Sequence, residues 1–183
     1  MEELGILQFI SEGALKRHRD HATSLCLREQ VLRKGPPRDD RTLIELYRRR
    51  TREDTRALYE EAVASASHTL YFSSFCVYPS VGDAFCRFCG GLTSFFHRLC
   101  EEAAAAHAFL YIGTYRGGRL HTAEDIGSFL RQGCLPTLAL DVCEHAYFLD
   151  YGFDRTSYIR AAVGHLDVGR LLPSGAEKET ETT

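Results

Sequence analysis

Apolar positions recur along this chain with two different periods, and the change between them divides it. From Ser11 to about Arg33, Leu15, His18, Ala22, Leu25 and Cys26 return at helical spacing, and Ser11 is suited to the N-cap. Lys34-Gly-Pro-Pro-Arg-Asp-Asp predicts a loop, because paired prolines cannot continue a helix. A second long helix is expected from about Arg41 to Thr69. Its first half is charged (Tyr47-Arg-Arg-Arg-Thr-Arg-Glu-Asp), and its second half is rich in small residues around His68. Those small residues, Ala62 to Ser67, leave room for another helix or a metal to come close. Gly91 to Ala108 predicts a third helix. The period then shortens. Phe109-Leu-Tyr-Ile-Gly-Thr-Tyr is a β-type run, Arg116-Gly-Gly-Arg signals a hairpin turn, and Leu120-His-Thr is the returning strand. Leu135 to Leu140 predicts a short apolar strand running straight into Asp141, and Ala146 to Leu166 is helical again. The tail from Ser174 to Thr183 is polar and is expected to be disordered.

These elements predict an α+β fold. An N-terminal domain over residues 1–75 would be a hairpin of long helices. A mixed α/β domain over 76–173 would hold a small antiparallel sheet, and residues 174–183 would form the tail. Of the 183 residues, 44% are apolar, which is enough for a packed core. A net charge of -3 gives no argument for broad nucleic-acid binding. The arginines of the second helix read as a solvated face, since Glu and Asp interleave with them. No run of about 18 apolar residues exists, so no membrane-spanning segment is expected. The acidic start, Met1-Glu-Glu-Leu, carries no secretory or mitochondrial leader, which predicts an intracellular protein, mitochondrial or cytoplasmic. Seven irregularly spaced cysteines suit reduced thiols better than a disulfide framework. Cys86-Arg-Phe-Cys89 has no second pair nearby and reads as loop or core thiols.

The chemistry concentrates in Asp141-Val-Cys-Glu-His-Ala-Tyr-Phe-Leu-Asp-Tyr, where a carboxylate and an imidazole interrupt an apolar and aromatic run. Asp141 and His145, four residues apart, can share one side of a helical turn. Both are ligand types for iron or manganese. Buried without a partner they would be unfavourable; a metal ion reverses the sign.

This stretch resembles the C-terminal signature of the iron/manganese superoxide dismutases. The match runs through Asp141, Glu144, His145, Ala146, Tyr147, Asp150, Tyr151, Arg155 and Tyr158. Ile10-Ser11 followed by His18 resembles the family's first motif, and Ser67-His-Thr-Leu-Tyr-Phe-Ser resembles the second. The resemblance implies four metal ligands, His18, His68, Asp141 and His145, holding one iron or manganese ion per chain. It also implies an antioxidant oxidoreductase that converts superoxide to oxygen and hydrogen peroxide by one-electron metal cycling. Two long helices followed by a mixed α/β part is the family's order of elements. Glu144 would bridge to the ligand histidine of a partner subunit, which implies a homodimer or a heterodimer with a related chain.

The surroundings of the site depart from that pattern. Where the family has a funnel histidine and tyrosine after the first ligand, this chain has Ala22 and Cys26, and His21 stands one step early as a candidate replacement. The closing tyrosine of the C-terminal motif is Phe148. Loss of the histidine and of this tyrosine together removes both ends of one hydrogen bond, so neither is left unpaired. The glutamine that contacts metal-bound solvent has no counterpart at Ala64 or near Asp125, and His121 is a candidate stand-in. Cys143 and Phe72 occupy tryptophan positions, and no tryptophan remains. These departures keep an alternative open: a catalytically degenerate, dismutase-like structural subunit, for example of a mitochondrial small ribosomal subunit. Arg48, Arg49, Arg50, Arg52 and Arg56 would then touch RNA or a neighbouring protein. A non-haem iron oxygenase is disfavoured, because such enzymes keep more open positions than four protein ligands leave.

Overall fold

Ser11 starts the first helix. In the computed structural model, which describes residues 8–34, 40–76, 82–115 and 118–172, this serine is extended and its hydroxyl accepts the Ala14 N–H at 3.3 Å. The helix α1 spans Glu12–Arg33 and buries Ala14, Leu15, His18 and Leu25. It ends at Lys34, in the left-handed conformation. Most of the proline loop and the tail, 174–183, lie outside the described residues.

The expected second helix is two. Helix α2 covers Asp40–Arg49 and α3 covers Glu53–Ser73. The break falls inside the arginine run, which holds no Gly or Pro to announce it. Side chains satisfy the carbonyls that the break frees. Arg50 donates to the Tyr47 carbonyl at 2.8 Å and lies over the Tyr47 ring, while the Thr55 hydroxyl donates to Arg49 O. Arg52 pairs with Asp54 and Arg56 with Glu60, so two of these arginines find their anions within the same exposed face.

Helix α4, Asp83–Cys89, takes in the two cysteines expected in a loop or the core; both are partly buried free thiols. Helix α5 follows at Leu92–Ala105. The sheet is antiparallel throughout, in the order β2-β1-β3, with β1 at Phe109–Thr114, β2 at Leu120–Ala123 and β3 at Leu138–Asp141. Its register sets Phe109 opposite Asp141 and Gly113 opposite His121. A short helix α6, Gly127–Arg131, connects β2 to β3. The helical stretch expected over 146–166 is also broken. Helix α7 covers Glu144–Tyr151 and α8 covers Arg155–Gly164. Between them Gly152 takes φ 55, a conformation that side chains disfavour. Arg155 then donates to Ala103, Ala104 and Ala106 carbonyls, closing the C-terminal end of α5.

Helix α1 packs on α3, α3 on β3, α1 on α7, and α5 on α8. One continuous apolar core joins them. The result is α+β, with helices dominant and one small sheet. Among the described residues, no helix is long and apolar enough to cross a membrane.

Candidate metal centre

Three separate elements point polar groups at one place in this core. Helix α1 supplies His18, α3 supplies His68, and the junction of β3 with α7 supplies Asp141 and His145. The start of α1 is fixed from the other end of the sequence. Asp150 accepts the Ser11 N–H at 2.6 Å, and the Tyr151 hydroxyl donates to Phe9 O at 2.6 Å. Asp141 is the last residue of β3 and does not share a helical turn with His145. Its Oδ1 accepts the Cys143 N–H at 2.9 Å, an Asx-type turn that redirects the chain into α7. The four-residue spacing therefore works across a strand end and a helix start.

The ligand atoms of His18, His68, Asp141 and His145 all lie within 4.8 Å of one another. Asp141 Oδ2 is 3.1 Å from His18 Nε2, 2.9 Å from His145 Nε2 and 3.5 Å from His68 Nε2. His68 Nε2 and His145 Nε2 face each other at 3.2 Å. Side chains of His18 and Asp141 are fully buried and that of His68 nearly so, whereas His145 is 36% exposed.

The donor set fits a metal ion on hydrogen-bond logic alone. His68 Nδ1 sits 2.8 Å from the Ala64 carbonyl, which can only accept, so the proton is on Nδ1 and Nε2 carries a lone pair. That lone pair faces the Asp141 carboxylate and a second imidazole nitrogen. A cation at the centre turns this opposition into coordination, and three imidazole nitrogens with one carboxylate oxygen suit a first-row transition metal. The charges agree. Burial works to raise the Asp141 pKa, but hydrogen bonds to His145 and His18 outweigh it and hold the carboxyl well below its usual range. Burial lowers the pKa of His68 despite its bond to Ala64. For His145 burial also acts downward, and the Asp141 partner reverses it to a net rise.

Comparison with known proteins gives the same direction. Residues 83–169 match the family described as iron/manganese superoxide dismutases, C-terminal domain. A protein of Entamoeba histolytica named superoxide dismutase (Fe) is 28% identical over 160 residues, covering 82% of this chain and 82% of its own length. One of Babesia bovis with the same name is 27% identical over 168 residues, covering 85% and 82%. One of Bacteroides fragilis reaches 33% over 116 residues, covering 56% and 59%. Over most of its length this chain is similar to iron/manganese superoxide dismutases.

Around the cluster this chain has surroundings of its own. His21 reaches the edge of the group: its ring centre is 4.7 Å from that of His145 and 5.1 Å from that of His68. It is exposed, and partial burial together with the neighbouring imidazoles lowers its pKa. His121 does not join the cluster. The register sets it opposite Gly113, four residues along β1 from Phe109, so it lies roughly 13 Å along the strand from the Asp141 position. It packs instead against Tyr115 and Phe129. Cys143 precedes α7, and burial with the Asp141 charge pushes its thiol up to about 12, so it is a neutral neighbour. Glu144 is exposed at the start of α7. With Arg17, His145, Phe148 and Leu149 it lines a cavity of about 340 Å³ that opens onto His145. Phe72 stands 4.9 Å from the His18 ring, and Phe109 stands 5.2 Å edge-on from His68. These rings wall a site without tryptophan. Sequence reading passed over Phe109; its strand pairing with Asp141 was the signal, and that pairing exists only in the fold.

Proposed function

We propose that this protein is a superoxide dismutase of the iron/manganese type, with His18, His68, Asp141 and His145 holding one metal ion per chain. One observation carries this reading: three imidazole nitrogens and an ionised carboxylate from three distant parts of the chain converge within 4.8 Å. Iron is the favoured metal, because the relatives cited above carry iron in their names. When bound, the metal supplies two oxidation states between which one electron passes, so that one superoxide is oxidised and the next reduced.

The chain's own residues hold and screen that chemistry. The Ala64 carbonyl fixes the His68 tautomer, and the buried carboxylate of Asp141 offsets part of the cation's charge. His18, His68 and Asp141 are sealed from solvent, so a small anion reaches the centre from the His145 side. Arg17 and His21 border that approach, and the guanidinium favours an anionic substrate there. Glu144 is assigned to a bridge with the ligand histidine of a partner subunit. The exposed Phe148, Leu149 and Phe153 beside it supply an apolar surface for that contact. A dimer, of two identical or two related chains, follows from this assignment.

The test is elemental analysis of the purified full chain paired with a superoxide-removal assay. The expected result is about one iron or manganese ion per chain, and removal faster than the same amount of free metal gives. Bound metal with no rate above free metal would leave a structural, dismutase-like role as the better account.

A further inference from the structure

Helix α3 and its C-cap residue carry a buried stripe of hydroxyl groups at Ser67, Tyr71 and Ser74, four and three residues apart and so on one face. Each reaches out of the helix. The Ser67 hydroxyl lies 2.6 Å from that of Tyr111 on β1. The Tyr71 hydroxyl lies 3.2 Å from that of Tyr158 on α8, and Tyr158 donates to the Asp141 carbonyl at 2.6 Å. Ser74 accepts the Ala139 N–H on β3 at 2.8 Å. The candidate ligand His68 sits between the first and second of these contacts.

The direction of every bond is determined. Ser67 donates to Val63 O and Ser74 to Leu70 O, both at 2.7 Å, and carbonyls only accept. Tyr111 must therefore donate to Ser67. Tyr158 has given its proton to Asp141 O, so Tyr71 donates to Tyr158. Burial raises the pKa of Tyr71, Tyr111 and Tyr158, so all three keep their protons at neutral pH. No hydroxyl in the stripe has a second arrangement available.

Two of the contacts end on β3, at Ala139 and Asp141, and the third ends on β1, whose Phe109 pairs with Asp141. Apolar contact between a helix and a sheet has no direction and tolerates sliding. Metal coordination tolerates an error of only about 0.2 Å in ligand distance. Directional, buried hydrogen bonds supply what the apolar packing lacks.

We propose that the Ser67–Tyr71–Ser74 stripe is a positioning device that fixes the height and rotation of α3 against β3, and thereby the separation of His68 from Asp141. Its residues act through the ligands and touch neither substrate nor metal. The inference rests on the metal reading above.

Tyr111→Phe and Tyr71→Phe test it, each in the full chain and each deleting one oxygen while keeping the ring and every bond to main chain. Tyr47→Phe is the control: its hydroxyl is likewise at a mostly buried residue, but it accepts from Arg131 on α6 and bonds to neither β1 nor β3. Manganese(II) affinity is measured by competition with a chelator, and the symmetry of the bound ion by electron paramagnetic resonance. Each stripe variant is expected to bind manganese about 10-fold more weakly, with an altered resonance spectrum, while the control matches the wild type. Wild-type affinity and spectrum in both stripe variants would overturn the proposal, as would an equal loss in the control. A wild-type chain that takes up neither iron nor manganese would instead overturn the metal reading itself.

Discussion

At the scale of single residues, two positions make opposite demands on space. His68 is buried, its tautomer is set by the Ala64 carbonyl, and its free nitrogen faces the other candidate ligands. His68→Ala removes one of four donors and leaves Asp141 and His18 sealed without it. The expected outcome is a chain that retains no metal after dialysis; full occupancy measured by elemental analysis would rule out the four-ligand site. Gly113 demands room of another kind. A Cβ there would stand 2.9 Å from the Phe129 ring and 3.1 Å from the main chain at Pro136 and Thr137, and the main chain cannot turn aside. Gly113→Ala should destabilise the fold by about 1–3 kcal/mol, read from its urea midpoint. His68 was legible in the sequence because a motif surrounds it. Gly113 was not, because its neighbours belong to α6 and to the loop before β3, which meet it only after folding.

At the scale of elements, the chain's long periodic segments were read correctly and their interruptions were missed. Helix α1 and the three strands fall close to the apolar pattern. The breaks at Arg50–Arg52 and at Gly152–Asp154 do not show, since charged residues propagate a helix well and one glycine is often tolerated. Side-chain bonds to main-chain carbonyls mark both points: local ones from Arg50 and Thr55 at the first, and long-range ones from Arg155 to the end of α5 at the second. Arg155→Met keeps the apolar stem and removes the donors to three carbonyls, two in the last turn of α5 and one at its C-cap. It should cost about 1–3 kcal/mol, seen as a lower denaturation midpoint with an unchanged slope. A midpoint equal to wild type would show that water serves those carbonyls equally well.

At the scale of the whole molecule, the open flank of the centre matters most. His145 is partly exposed beside Glu144 and three exposed apolar side chains, Phe148, Leu149 and Phe153. The proposed dimer predicts that the wild type sediments with the mass of two chains at micromolar concentration. Glu144→Lys should shift it toward one chain. A wild type that stays monomeric would remove the bridging role of Glu144 while leaving the four ligand positions untouched. The sequence by itself determined which residue types stand at the candidate positions, their motifs and the order of the elements, because those are local properties of residue chemistry and periodicity. Only the tertiary structure decided that His18, His68, Asp141 and His145 meet, that His121 stays away, and that a hydroxyl stripe joins α3 to the strands. Convergence depends on strand register and helix packing, and these are set by contacts between residues far apart in the chain.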